Sequence, residues 1–445
     1  MVTGSNYLLE TSDKGQATRA LIDCGLHQGS SYCEELNFEP FPYDPKTINA
    51  VLITHAHIDH IGRLPKLYRD GFRGKIFSSP PTKDFAIHLL LDSQHILLKE
   101  AEEKRRSPLY DLEDVDRVMK LWQGVEYHKK FRLGDFEAEF FDAGHILGSS
   151  TIEISAEGKK IVFSGDLGNI PAPLVKDTEA VNAADYAIIE SVYGNRVHED
   201  LEQRKDILED IIEETVKEGG VLMVPAFAME RTQDLLFELN NLIEAGRIPK
   251  VPIFIDSPLA IKITSVYKKY SGDPDYFDEE ALAAFRKGEK IFDFPCLKMA
   301  LTTEDSKVIN DVPAPKVIIA GAGMSQGGRI LHHERRYLLD PKSAILFIGF
   351  QAEGSLGRRI LDGAKTVKIL GEEVPVRCRV KAIGGYSAHA DQPKLLSWLR
   401  PMRLDLKKVF VVQGEEDQSS PFANKIKDEF AVEAIVPSEG ESFML

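Results

Sequence analysis

The chain has 445 residues, 43% hydrophobic and 28% charged, which is enough for a sizeable core and for two or three folded units. Its four cysteines (Cys24, Cys33, Cys296, Cys378) stand far apart with no CxxC pair, which speaks against a disulfide framework, an iron–sulfur centre and a zinc ribbon. The formal charge of −15 speaks against a basic nucleic-acid coat, but leaves room for an enzyme that uses a metal centre or a local basic groove. No run of about 18 apolar residues is present, and MVTGSNYLLE lacks the basic and apolar parts of a leader. The expectation is a reducing, cytoplasmic setting without a membrane span.

The first third reads as short strands and turns: ATRALIDCG, NAVLITHAH and GKIFSSP. A charged helical stretch covers roughly 83–122. Residues 131–142 alternate apolar and polar around Gly134-Asp135, and 151–164 do so around Glu157-Gly158, so each predicts a hairpin. The strand DYAIIE (185–190) leads to an amphipathic helix over 201–218 stopped by Gly219-Gly220. Strands then alternate with helices (GVLMVPA, a helix over 230–245, VPIFIDS, a helix, KVIIAG, GRILHHERRYL, AILFIGF), the pattern of a parallel sheet flanked by helices. Residues 271–293 read as an acidic, irregular, mobile loop region. From about 373 the reading shifts again, through EVPVRCRVKAI, a helix, KVFVVQG and a last helix.

The sharpest chemical signal is Thr54-His55-Ala56-His57-Ile58-Asp59-His60, after the buried run AVLIT and before a helix expected from Asp59 to Gly71. Three imidazoles and a carboxylate within six residues are ligands that zinc prefers, and folding alone has no need of them. His145, in FFDAGHILGSS, and Asp166, in IVFSGDLGN, repeat the arrangement of a strand end followed by a ligand. Asp23, in ALIDCG, either orients a ligand or caps a turn. Glu190 ends a strand, where a carboxylate can position a proton carrier. His389 lies just before a helix capped by Asp391, where an imidazole can protonate a leaving oxygen. The stretch GAGMSQGGR (321–329) has neither the Walker pattern nor the dinucleotide pattern. Gly323, Ser325, Gly327, Gly328 and Arg329, with Arg231, are candidates for backbone-phosphate contact, set against a plain glycine-rich connection and solvated arginines. The adjacent His332 and His333 point to packing or phosphate contact, not metal; His27, His88, His95 and His128 are taken as core or surface residues.

This set resembles the metallo-β-lactamase superfamily: His55, His57, Asp59 and His60 match its HxHxDH signature, and Asp23, His145 and Asp166 match its other motifs. Ile188-Ile189-Glu190-Ser191, VPAFAMERTQDLL (224–236), AGAGMSQGGRILHH (320–333) and GYSAHADQ (385–392) are similar to the β-CASP branch, and within it to the RNA-processing nucleases. The resemblance implies an α/β protein in which a metallo-β-lactamase αββα sandwich (1–181 and 373–445) carries an inserted α/β β-CASP domain over a parallel sheet (182–372). It implies two zinc ions: His55, His57 and His145 hold one, Asp166 bridges, and Asp59 and His60 help hold the second. Asp59, Glu190 and His389 then serve catalysis. The implied reaction is hydrolysis of single-stranded RNA by a metal-activated water, endonucleolytic and with 5′–3′ exonuclease action in reach. His389, assisted by Glu190, protonates the leaving 3′-oxygen and 5′-phosphate ends result. Dimers are common in relatives.

Two departures stand out. Where the RNA-cleaving members read V-H-G-E, this chain has Val412-Gln413-Gly414-Glu415, with an amide in place of an imidazole. A weaker second zinc site and lowered turnover are expected, with a non-catalytic RNA-binding scaffold as the alternative reading. The chain also opens at VTGSNYLLE, inside a stretch that the family usually precedes with a first strand. A small-molecule metallo-hydrolase and a DNA nuclease are further alternatives, and the inserted domain with its Glu190 and His389 motifs argues against the former.

Overall fold

The computed structural model describes residues 2–11, 17–29, 31–169, 171–198, 203–349, 351–383 and 388–445. Gly385, Tyr386 and Ser387 of the GYSAHADQ stretch, and residues 201–202 of the expected 201–218 helix, lie outside the described residues.

Two compact units emerge, Met1–Val197 with Ala388–Leu445, and His198–Ser387. The first is built on two sheets. A five-stranded sheet runs in the order Tyr7–Glu10, Arg19–Ile22, Ala50–Leu52, Lys75–Ser78, Trp122–Gly124. A seven-stranded sheet runs Glu433–Ile435, Lys408–Val412, Tyr186–Glu190, Lys159–Phe163, Ser150–Ala156, Phe136–Asp142, Phe131–Leu133. Both expected hairpins form, with Leu133 opposite Phe136 and Ala156 opposite Lys159. In Phe136–Asp142 burial alternates residue by residue, as FEAEFFD dictates for a strand with one face to the core. The sheets meet through Phe77 and Phe131 (ring centroids 5.1 Å apart) and through Tyr7 and Phe163 (5.8 Å). The outer face of the larger sheet packs Val162, Ala187, Ile189, Val409 and Val411 against Leu395, Trp398, Leu399, Phe422 and Ile426 of the C-terminal helices.

What matters for the site is strand direction. Tyr186–Glu190 is parallel to Lys159–Phe163 on one side and to Lys408–Val412 on the other. Arg19–Ile22 is parallel to Ala50–Leu52. Parallel strands end at one edge, so the residues that follow these strands are delivered to the same rim of the unit.

The second unit has a six-stranded, all-parallel sheet in the order Leu297–Met299, Ile253–Asp256, Lys316–Ala320, Val221–Pro225, Ala344–Phe347, Arg379–Ala382. Its central strands are buried on both faces, which is why VLMVP, IFID, KVIIA and AILF are near-continuous apolar runs instead of alternating ones. The strand Tyr186–Glu190 pairs in the first unit and Arg379–Ala382 in the second, so the chain crosses between units later than residues 182 and 373. Two local expectations are corrected. The helix expected from Asp59 to Gly71 is two short helices, Ile58–Ile61 and Leu64–Arg69, broken where the Arg63 amide donates to the Cys24 carbonyl instead of continuing the helix. Residues 271–293 are not a mobile loop: Glu279–Arg286 is a helix capped by Asp278, and Tyr276, Phe277, Ile291 and Phe292 are buried. Their apolar residues lie between charges, which hid them in a composition reading. Among the described residues no helix is long and apolar enough to cross a membrane.

Candidate metal centre

Five strand ends supply the rim. The strand Ala50–Leu52 leads into Thr54–His57, Phe136–Asp142 into His145, and Lys159–Phe163 into Asp166, while Glu190 closes its own strand and Gln413 follows Val412. Glycine makes the Asp166 turn possible. Gly165 has φ +57°, and a Cβ on Gly168 would lie 1.9 Å from the Gly144 carbonyl oxygen.

The side chains converge. His55 Nε2 lies 3.0 Å from His57 Nδ1, and His145 Nε2 lies 3.3 Å from the same atom. Asp166 Oδ2 is 3.4 Å from His55 Nε2 and 3.7 Å from His145 Nε2. One ligand atom from each of these four residues falls within 4.8 Å of the others. The opposite ring nitrogens are tied down: His55 Nδ1 faces the Thr54 hydroxyl at 3.1 Å and His145 Nδ1 faces the Ala388 carbonyl at 3.3 Å. A carbonyl only accepts, so His145 carries its proton on Nδ1 and turns the Nε2 lone pair inward.

The donor set fits a cation. Burial, reinforced by His55, holds His57 well below the usual histidine range, and burial with His389 does the same for His145. Neutral imidazoles that aim lone pairs at one another across about 3 Å repel unless a cation lies between them. Burial works to raise the pKa of Asp166, but His60 and His55 outweigh it and hold the carboxylate ionised, while its buried Oδ1 has no hydrogen-bond partner. Three nitrogens and one carboxylate oxygen are a zinc donor set.

His60 stands beside this group. Its Nδ1 is 2.7 Å from Asp23 Oδ2, and its Nε2 is 3.4 Å from Asp166 Oδ1 and 3.9 Å from Asp59 Oδ2. Burial opposes a charge on the ring, yet Asp166, Asp23 and Asp59 outweigh it and raise its pKa well above the usual value. Asp23 therefore holds the His60 ring in place: its Oδ1 also accepts from the Thr54 amide at 2.8 Å and its carboxylate from the Thr54 hydroxyl. Thr54 thus touches both Asp23 and His55, a role the sequence reading missed; its place between a buried strand and the first histidine was the available signal. Gln413, at φ +52°, brings its amide Nε2 to 3.2 Å from His60 Nε2, with Tyr7 OH 3.5 Å from its Oε1.

A third set adjoins Asp166. His389 Nδ1 lies 3.3 Å from Glu190 and 4.0 Å from Asp166 Oδ2. Glu190 is fully buried and accepts from the Leu167 amide at 2.7 Å. His389 is pinned to the loop after Asp166: the Asn169 amide donates to Ala388 and the Ala390 amide to Leu167. Burial disfavours the imidazolium, but the Glu190 carboxylate and then Asp166 outweigh it and raise His389 to about 9. Ligand atoms of Asp166, Glu190 and His389 also lie within 4.8 Å of one another.

The six residues read as phosphate contacts lie in the second unit. Two of their side chains are committed to the fold, a correction to that reading. Ser325 is buried and donates to Glu334, and Arg329 donates to Asp256 Oδ1 (2.8 Å), Ala300 O and Leu301 O. Arg231 lies 3.3 Å from Glu230 and 3.5 Å from Asp234. Gly323 is buried, Gly327 partly covered and Gly328 exposed, so what this loop can offer an anion is main chain. His333 packs, as expected: its Nε2 is 2.7 Å from Asp256 Oδ2.

Comparison with known proteins shows the family to which the chain belongs. Residues 18–217 match the beta-lactamase superfamily domain, 232–360 the Beta-Casp domain, and 373–437 the Zn-dependent metallo-hydrolase RNA specificity domain. The chain is 39% identical over 417 residues to Ribonuclease TTHA0252 of Thermus thermophilus, covering 94% of this chain and 91% of that one. It is 31% identical to an RNase J-like protein of Methanocaldococcus jannaschii (96% and 94% covered) and 30% identical to the transcription termination factor FttA of Methanosarcina mazei (96% and 68%). A crystal structure of a protein of unknown function from Enterococcus faecalis shares the fold at 13% identity, with a TM-score of 0.55 over 99% of this chain and 97% of that one. The chain belongs to the β-CASP branch of the metallo-β-lactamase superfamily.

Proposed function

We propose that this protein is a zinc-dependent ribonuclease that cuts single-stranded RNA, leaving 5′-phosphate and 3′-hydroxyl ends. It is a metal-dependent RNA hydrolase. The observation that carries the reading is the convergence of His55, His57, His145 and Asp166 within 4.8 Å beside the Glu190–His389 pair. In this reading His55, His57, His145 and Asp166 hold one zinc, and His60 and Asp59 with Asp166 hold a second, weaker one. Zinc, when bound, supplies Lewis acidity that activates water at neutral pH and offsets phosphate charge. His389 carries the proton for the leaving 3′-oxygen. Glu190, buried and braced by the Leu167 amide, keeps that imidazole charged and in place. Asp23 and Thr54 orient His60 and His55. Arg231 and the main chain of Gly323, Gly327 and Gly328 offer phosphate contacts. The same reading places the enzyme in the cytoplasm and allows a homodimer.

The test is cleavage of a 5′-labelled single-stranded RNA, beside DNA of the same sequence, with and without a chelator. Cutting of RNA alone that a chelator abolishes, and that Asp59→Ala slows, is expected. Cutting by Asp59→Ala at the parent rate overturns its assignment as a ligand. Folded, zinc-loaded protein that binds RNA without cutting it would overturn the ribonuclease reading.

A further inference from the structure

We propose that Phe227, at the carboxyl edge of the second unit's parallel sheet, is a platform on which a base of single-stranded RNA stacks; the proposal rests on the ribonuclease reading above. Phe227 follows the strand Val221–Pro225, and ligands of open parallel sheets bind at that edge. Phe227 is 41% exposed, although Ala226, Met229 and Glu230 beside it are buried.

Its setting is built to hold it still. A Cβ on Gly323 would lie 2.7, 2.8 and 3.0 Å from the Cδ2, Cε2 and Cγ atoms of Phe227. Gly323 has no left-handed φ to explain it, so the glycine is there for space: the ring lies against its main chain. Gln351 braces that wall, with Nε2 donating to the carbonyls of Gly323 (3.0 Å) and Gly349 (3.1 Å). Behind the ring, the Thr232 hydroxyl donates to the Phe227 carbonyl at 2.7 Å and the Gln233 amide to the Ala228 carbonyl at 3.2 Å. The turn closes at Glu230, a buried residue at φ +65°, a conformation that persists only where its surroundings enforce it. A packed core has no use for an aromatic ring clamped on one side and wet on the other. Stacking of a base does, because a rigid ring loses little conformational freedom on binding.

The test is binding of a single-stranded oligoribonucleotide that carries 2-aminopurine, in chelator so that nothing is cut, to the parent, Phe227→Ala, Phe227→Leu and Phe227→Trp. The alanine and leucine variants should bind roughly 5- to 100-fold more weakly and lose the quenching of 2-aminopurine, while tryptophan keeps both. The slope of affinity against salt should not change, because no phosphate contact is removed. An abasic oligomer should bind parent and variants alike. If Phe227→Ala binds the oligomer as tightly as the parent with unchanged quenching, the platform is overturned while the RNA reading stands. The same holds if that variant changes only the oligomeric mass, which would mark a protein contact. If the parent itself neither binds nor cuts RNA, both fall together.

Discussion

Asp23 Oδ2 lies 2.7 Å from Nδ1 of His60, and both side chains are buried. The carboxylate holds a proton on Nδ1 and so turns Nε2 toward Asp166 and Asp59. Asp23→Asn keeps the shape and loses the charge. Zinc affinity measured by competition with a chromophoric chelator should fall by about 10- to 100-fold, the usual loss when a ligand's supporting partner is removed. An unchanged affinity would leave Asp23 as a turn residue only.

Gln413 meets the same ring from the other side, its amide 3.2 Å from His60 Nε2. An amide brings no imidazole lone pair to a metal, and its oxygen is a poor zinc ligand. Metal analysis should give one tightly held zinc per parent chain and two for Gln413→His. Two tightly held ions in the parent would overturn the weakening assigned to Gln413.

The Glu190–His389 pair is separable from metal binding. His389→Ala should lower kcat on RNA by about 10²- to 10⁴-fold, the range for a general acid, with zinc content unchanged. A phosphodiester whose leaving group needs no proton, such as one that releases p-nitrophenolate, should lose far less. Equal losses on both substrates would mean that His389 supports the site instead of donating a proton.

Arg329 is one of two phosphate candidates, with Ser325, whose side chains the fold consumes. It donates to Asp256, which is fully buried and also receives His333 and Ser306. Asp256→Ala leaves Arg329 and His333 without their shared partner and should cost about 3–5 kcal/mol in urea unfolding. Arg329→Ala should likewise lower stability while the salt slope of RNA binding stays put, whereas a phosphate contact would shift that slope by about one.

Glu334 provides a pH signature. Burial pushes its carboxyl from 4.5 up to about 8, with the Ser325 hydroxyl pulling slightly the other way. From about pH 4.5 the unfolded chain has released a proton that the native state keeps until about pH 8. Its contribution to stability is therefore full below pH 4.5, declines as pH rises through that window, and is lost above it. Glu334→Gln should flatten this decline in chemical denaturation measured from pH 5 to 9.

Much of the site was legible in the chain because its ligands sit next to strand ends. A strand that ends in HAHIDH, GHILG or SGDLG announces both the turn and the donor. The alternating hairpins and the continuous apolar strands were legible for the same local reason, since one-face and two-face burial leave different periods. The helix hidden in 271–293 was not, because Tyr276, Phe277, Ile291 and Phe292 gain meaning only from what they pack against.

The sequence by itself determined the donor types, the order of strands and helices, and the presence of Gln413 where an imidazole was expected, because these are properties of residue chemistry and short-range spacing. Only the tertiary structure decided which partners each group meets. Asp23 faces His60 from 37 residues away and Gln413 reaches the same ring from 353 away. Arg329 turns inward to Asp256 while Phe227 stays at the surface. Spacing along the chain is silent on such pairings, because parallel strands drawn from distant segments bring their ends to one edge whatever length of chain lies between them.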